Sequence, residues 1–151
     1  MLSSASAAAG SAQDCVFCSI ARGDTEAHVV FEDEVSLAFL DNRPLFAGHT
    51  LLIPREHHET LADLPSELIE PLFASAQLLS RAIPEAMGAQ GSFVANNNVV
   101  SQSVPHLHVH VVPRVKKDGL RGFFWPRTKY ESDEHAAQTA AKLREAVDRL
   151  R

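Results

Sequence analysis

The chain has 151 residues, 45% of them hydrophobic and 22% charged, with two cysteines, eight histidines and a formal net charge of −5. That composition suits one globular domain able to bury roughly 68–70% of its unfolded surface, and it excludes disordered, collagenous and disulfide-scaffold chains. No apolar run approaches the ~20 residues of a membrane-spanning helix, and a net negative chain is not built as a whole to bind a polyanion.

Residues 1–13 are Ser- and Ala-rich and uncharged. They read as a flexible tail, since no basic segment precedes their short apolar run as one would in a signal peptide. The folded domain is expected over residues 14–151. Residues 28–31 and 35–40 are predicted strands, joined by the polar turn Glu32-Asp33-Glu34 into an antiparallel hairpin. Asp41-Asn42-Arg43-Pro44 is a turn by composition. Gly48 opens a third strand over residues 49–53, closed by Pro54. Leu68, Leu72, Ala76, Leu79 and Ile83 recur at helical spacing. Pro71 and Pro84 interrupt that pattern, one expected in the first turn and the other at the helix end or a kink. Residues 91–95 and 106–112 are further strands. Ser132 caps a last helix, with Asp133 and Glu134 in its first turn and Ala136, Ala140, Leu143, Val147 and Leu150 on its apolar face. The expected fold class is therefore α+β, with about five strands in an antiparallel sheet and two main helices.

The strongest chemical signal is His106-Leu107-His108-Val109-His110-Val111-Val112. Successive strand side chains point to opposite faces, so the three histidines share one face and the apolar residues the other. The apolar face belongs to the core, and the histidine face opens on something polar. Such a row can bind metal, shuttle protons or attack an electrophile. Attack on phosphorus gives a phosphoramidate that water then hydrolyses, splitting one difficult displacement into two easier ones.

The second signal is Cys15-Val16-Phe17-Cys18, a spacing shared by zinc half-sites and redox motifs. A redox motif would follow a buried strand, whereas this one follows a polar tail. Two more ligands are available for zinc: His57, just after the strand that ends at Pro54, and one histidine of the row. His58 competes with His57.

These residues resemble the histidine triad (HIT) superfamily, whose signature is three histidines alternating with apolar residues. The likeness extends from Asp14 to about Trp125. It includes Cys15-Val16-Phe17-Cys18-Ser19-Ile20-Ala21-Arg22-Gly23, the strand end Leu37-Ala38-Phe39-Leu40-Asp41, Gly48-His49-Thr50-Leu51-Leu52-Ile53-Pro54, Gln102-Ser103-Val104-Pro105 and Val112-Pro113-Arg114. The resemblance implies a five-stranded antiparallel sheet, a homodimer and a purine nucleotide substrate cleaved at its α-phosphate, as in phosphoramidases and dinucleoside polyphosphate hydrolases. It implies His108 as the nucleophile, His110 on the phosphate oxygens and Ser103 as a hydroxyl at the phosphate or leaving group. It also implies Asp41 on the ribose hydroxyls, Asn97 on the substrate backbone and Gln102 near the leaving group, with His49 as a structural hydrogen-bonding residue. In the zinc-containing branch, which resembles galactose-1-phosphate uridylyltransferase in ligand spacing, the ligands carried over are Cys15, Cys18, His57 and His106. Four protein ligands close the tetrahedron, so one zinc per chain would be structural.

One departure is the stretch Asn96-Asn97-Asn98-Val99-Val100-Ser101, which lacks the glycines that relatives carry before Gln102-Ser103. A second feature is charge: Arg114, Lys116, Lys117, Arg121, Arg127 and Lys129 are six of the chain's 14 basic residues. This patch is expected to serve a small phosphorylated ligand, not nucleic acid or a membrane. Phe123, Phe124 and Trp125 are candidates for a dimer interface or the leaving-group side. Other functions open to such a chain are nucleotidyl transfer, phosphorolysis and nucleotide binding with little turnover. The missing signal segment and the zinc-type thiols fit a cytoplasmic protein.

Overall fold

In the computed structural model, which describes residue 12, residues 14–120 and residues 127–151, alternation of apolar side chains gives one sheet two covered faces. The strands β1 (Val29–Glu32), β2 (Ser36–Leu40), β3 (Thr50–Pro54), β4 (Gly91–Ala95) and β5 (Val109–Arg114) pair antiparallel in the order β1-β2-β3-β5-β4. The tail, residues 1–11 and 13, and Arg121, Phe123, Phe124 and Trp125 lie outside the described residues. The chain divides into two compact units, one ending at Asp118 and one beginning at Gly119. The sheet and the residues of the candidate site lie in the first.

One face of the sheet carries Ala38, Leu52, Val109 and Val111, packed on Leu72, Ala76, Leu79 and Ile83 of helix α2 (Ser66–Met87). Each fully buried leucine or isoleucine there contributes about 1.5–3 kcal/mol. The other face carries Leu37, Phe39, Leu51 and Ile53 under the short helix α1 (Val16–Arg22). His108 and His110 alternate with Val109 and Val111 along the chain, so they share the α1 face.

Helix α1 was not anticipated from periodicity. Its seven residues span two turns, too few for an apolar repeat to register. Its stop signal was local: Gly23 at φ 83° takes the left-handed position after the helix, and its N–H donates to the Ile20 carbonyl. Arg55 then ties this helix end to the β1–β2 turn, donating to the carbonyls of Ala21 (3.3 Å) and Asp33 (2.7 Å) and pairing with Glu32 (3.1 Å).

The expectation for the two prolines is corrected. Pro71 sits in the second turn of α2, and Pro84 lies inside its last turns, so neither ends the helix. Met87 ends it, with Gly88 at φ 63° as cap, and the Pro84 carbonyl accepts from Ala89 N–H beyond that cap. Apolar packing of one helix face outweighs the two missing backbone donors. Gly48 at φ 97°, a left-handed conformation that favours glycine, enters β3 where a Cβ would stand 2.8 Å from Met87 Cγ, so a side chain there would also push the Met87 side chain aside.

In the second unit, α3 (Asp133–Leu150) is capped as expected, Ser132 accepting from His135 N–H. No helix among the described residues is long and apolar enough to cross a membrane.

Candidate functional site

The regular strand begins at Val109, three residues later than expected, because Leu107 N–H donates to the His58 carbonyl (2.7 Å) instead of joining the sheet ladder. Alternation continues through this segment nonetheless. The expected polar opening is also narrower than the sequence suggested. His106 and His108 are buried, roofed by the Phe17 ring at centroid distances of 5.9 and 5.1 Å, and only His110 is partly open.

Each imidazole has one nitrogen facing a group of fixed polarity, and this assigns its tautomer. His106 Nε2 faces the Pro54 carbonyl at 2.8 Å, so it carries the proton, and the lone pair sits on Nδ1. His108 Nδ1 donates to the His106 carbonyl at 2.7 Å, so the lone pair sits on Nε2, which has no partner among the described residues. His49 Nδ1 accepts from Leu45 N–H (3.0 Å), so its Nε2 carries the proton and donates to His110 Nδ1 (2.9 Å). His110 is therefore protonated on Nε2. Along one strand the proton alternates from Nε2 to Nδ1 to Nε2.

Burial and the neighbouring His108 and His49 push the His110 pKa down to about 4, so it is a neutral N–H donor at pH 7. Burial also lowers that of His49, against the opposing pull of Asp41. His106 falls to about 4 for the same first reason, desolvation.

The His106 lone pair meets the cysteines. Nδ1 lies 3.4 Å from Cys15 Sγ and 3.5 Å from Cys18 Sγ, and His57 Nδ1 lies 3.2 Å from Cys18 Sγ. An ion held at ~2.3 Å from sulfur and ~2.0–2.1 Å from nitrogen gives sulfur–nitrogen edges of about 3.5 Å in a tetrahedron, so this donor set fits zinc. The two soft thiols and the lone pair fixed by the Pro54 carbonyl also fit it. Burial and the adjacent Cys15 push the Cys18 thiol up to about 11, so without a cation it stays protonated. His58 does not compete, because its ring pairs with Glu56 at 3.1 Å.

A second group, Asp41, His49 and His110, also brings three donor atoms within 4.8 Å of one another. Here the protons argue against a cation. His49 Nε2 already holds one, and moving it to Nδ1 would leave it against Leu45 N–H.

Next to this second group lies a cavity of about 1020 Å³. Phe17, Ser103, His108, His110 and Asp41 line it, with Val16, Ile20 and Leu51 as apolar wall. Asp41 Oδ1 accepts from Arg43 N–H (2.9 Å), a turn cap, while Oδ2 lies 3.6 Å from His49 Nε2. Asn97 and Gln102 are placed elsewhere. Asn97 donates to the Ser101 carbonyl (3.2 Å), and Gln102 donates to the Glu59 carbonyl (2.6 Å) and accepts from Val99 N–H (2.9 Å). The glycine-free loop nonetheless puts Val99 at φ 68° and Ser101 at φ 61°. Asn98 Oδ1, accepting from Leu61 N–H (2.9 Å), fastens it further to the segment after His57. Of the basic patch, Arg114 forms a two-bond pair with Asp118 (2.6 and 3.1 Å), and Arg114, Lys116 and Lys117 do not line the cavity.

Sequence reading undervalued two residues. Phe17 roofs the histidines, and His49 sets the His110 proton. Parity along β3 places His49 on the face of Leu51, but β3 pairs with β5 across 50 intervening residues or more, a partnership that no local pattern announces.

The family model described as HIT domain matches residues 22–117. The chain belongs to the HIT family. It is 37% identical over 109 residues to adenylylsulfatase HINT3 of Arabidopsis thaliana, covering 71% of this chain and 55% of that protein, so it spans about half the length of that relative. It is 32% identical over 122 residues to adenosine 5'-monophosphoramidase hnt1 of Schizosaccharomyces pombe, covering 80% and 89%. Among solved structures, a zinc-bound histidine triad family protein from Mycobacterium smegmatis superposes with TM-score 0.68 at 38% identity, covering 89% of this chain and 99% of that one. The α+β fold with a five-stranded antiparallel sheet is the fold of that family.

Proposed function

We propose that this HIT protein hydrolyses nucleotides at the α-phosphate, with nucleoside 5'-phosphoramidates as the favoured class, through a nucleotidyl intermediate on His108. The observation that carries the reading is the His108 tautomer: Nδ1 donates to a backbone carbonyl, which leaves an unpartnered Nε2 lone pair on a residue that lines the cavity. Two relatives named as an adenylylsulfatase and an adenosine 5'-monophosphoramidase, names that both point to a substituted adenosine phosphate, support it.

In the first step the His108 Nε2 lone pair forms a bond to the α-phosphorus as the bond to the leaving nitrogen breaks. The Ser103 hydroxyl, on the cavity wall, is the donor assigned to the leaving group. His110, neutral and protonated on Nε2, donates to a phosphoryl oxygen whose charge grows in the transition state. In the second step a water oxygen replaces Nε2 on phosphorus and His108 regains its lone pair, while the proton that the water loses passes to Ser103 and replaces the one Ser103 gave to the leaving nitrogen in the first step. Asp41 Oδ2 remains to accept from a ribose hydroxyl, since Oδ1 is held by Arg43 N–H. Zinc at Cys15, Cys18, His57 and His106 would supply structural cross-linking, one ion per chain, and hold the segment leading into His108. A homodimer, as the family resemblance implies, is the assembly assigned here.

The deciding experiment replaces His108 with Gln and follows adenosine 5'-phosphoramidate. Turnover is expected to fall on the order of 10³-fold or more, with AMP binding retained. Intact-mass analysis of quenched wild type should show a nucleotidyl adduct that the variant lacks. A variant with more than a few per cent of wild-type kcat overturns the assignment.

A further inference from the structure

We infer that Glu26 and Arg43, at the outer rim of the cavity, read the edge of the base and select guanine over adenine. This rests on the nucleotide reading above and goes beyond it by naming the base. The inner wall, with Val16, Phe17, Ile20 and Leu51, is apolar and offers a flat purine only stacking and exclusion of water. Walls of this kind discriminate weakly between two ligands of one shape. Discrimination needs polar groups that one ligand satisfies and the other does not.

The rim supplies them. Glu26 and Arg43 both line the cavity. The backbone bond from Leu40 N–H to the His28 carbonyl (3.0 Å) brings the start of β1 beside the end of β2, so the segments carrying Glu26 and Arg43 flank the same end of the hairpin. Other charges nearby are paired, Arg22 with Asp24 and Arg55 with Glu32. Among the described residues the Glu26 carboxylate and the Arg43 guanidinium have no hydrogen bond or ion pair, to each other or to anything else. An acceptor-only group and a donor-only group thus stand on the rim of one cavity, held by no other side chain and free to exchange water for a ligand.

Guanine presents two parallel donors, N1–H and the N2 amino group, and on its other edge two acceptors, O6 and N7. A carboxylate matches the first pair and a guanidinium the second. Adenine offers a carboxylate one donor, N6–H, beside the N1 lone pair, which repels it. It offers a guanidinium one acceptor, N7, beside that same N6 donor. Each rim group is therefore satisfied by guanine and half-frustrated by adenine. Both are solvent-exposed, so the discrimination belongs at the low end of that for bidentate contacts, roughly 10-fold.

The test compares kcat/KM for guanosine, inosine and adenosine 5'-phosphoramidates, and Kd for GMP, IMP and AMP. The wild type should favour guanosine roughly 10-fold over adenosine, with inosine, which lacks the N2 amino group, between them. Glu26→Gln should erase most of that ratio, because an amide both donates and accepts and pairs with adenine as well. Arg43→Gln should weaken GMP more than AMP. Equal treatment of the bases by the wild type, or a preference that Glu26→Gln leaves in place, overturns the inference, as does an Arg43→Gln effect equal for both nucleotides. The Kd series judges the base reading even where turnover is absent, and absence of all turnover would overturn the proposed hydrolase instead.

Discussion

Among the described residues two side-chain groups hold enough donors for a cation, and they lie on the same sheet face. Cys15, Cys18, His57 and His106 form one, and Asp41, His49 and His110 the other. Donor count does not separate them; protons do. At His106 a carbonyl takes the Nε2 proton outward, so the lone pair turns inward to the thiols. At His49 a backbone N–H claims the Nδ1 lone pair, so the proton turns inward to His110. The first group collects lone pairs and fits a metal, whereas the second collects protons and fits an oxyanion. His108, between them on the chain, exposes a lone pair to the cavity.

The comparison breaks most visibly at the metal. Cys18→Ser should take zinc from about one per chain to near zero and lower Tm by roughly 10 °C or more, because a buried thiol partner and a cross-link are lost together. His49→Gln should leave the zinc content unchanged. Elemental analysis of both variants, purified without chelator, checks this. Zinc lost from the His49 variant, or retained by the Cys18 variant, would reverse the assignment of the two groups.

Acid sharpens the contrast next. The folded His110 pKa of about 4 lies below its ordinary 6.5, so between those values the unfolded chain holds more protons than the folded one. Stability should fall as pH drops through that window, by at most about 1.4 kcal/mol per unit for this group. In His110→Gln that component is absent, so the stability gap between wild type and variant should narrow as pH falls from 6.5 towards 4. Urea titrations at several pH values measure the gap, and a constant gap would mean that the His110 proton is not set by its surroundings. At neutral pH, His49→Gln should lower kcat by about 10-fold while changing KM little, since a freed His110 divides its proton between two nitrogens. A KM effect alone would make His49 a packing residue.

The sequence carried much of this layout, and the parts it hid have a common cause. Alternation placed β2, β3 and the histidine row on their faces, and the 3.6 period found α2, because both signals repeat over enough residues to stand out. Residue type alone singled out Cys15-x-x-Cys18 and His57, which the fold brings together with His106. The roof over the histidines was not: Phe17 sits on a two-turn helix, and its contact with His108 spans 91 positions of chain. The course of α2 through Pro71 and Pro84 was hidden because packing, not propensity, decided it. Asn97 and Gln102 looked like ligand contacts by position, yet their amides hold the backbone of their own loop and of Glu59.

That loop joins the two groups, and it gives the smallest expected effect. It is fastened at Glu59 and Leu61, just after His57 of the cysteine–histidine group, and it leads directly into Ser103 on the cavity wall. Val99 is held at φ 68°, a conformation that costs a β-branched residue about 1–2 kcal/mol. The bond from Val99 N–H to the Gln102 amide (2.9 Å) offsets part of that cost. Glycine would remove the strain but give the unfolded chain about 0.5–1 kcal/mol of extra freedom. Val99→Gly should therefore stabilise slightly, by about 0.5 kcal/mol, raising Tm by roughly 1–2 °C. Gln102→Ala should do the reverse, stranding the Glu59 carbonyl and the Val99 N–H, and should raise KM without changing zinc content. Thermal melts of both variants decide it: a Val99→Gly protein that melts lower than wild type would show that the valine contributes contacts worth more than its strain, and the loop would then belong to the packed core and not to the site.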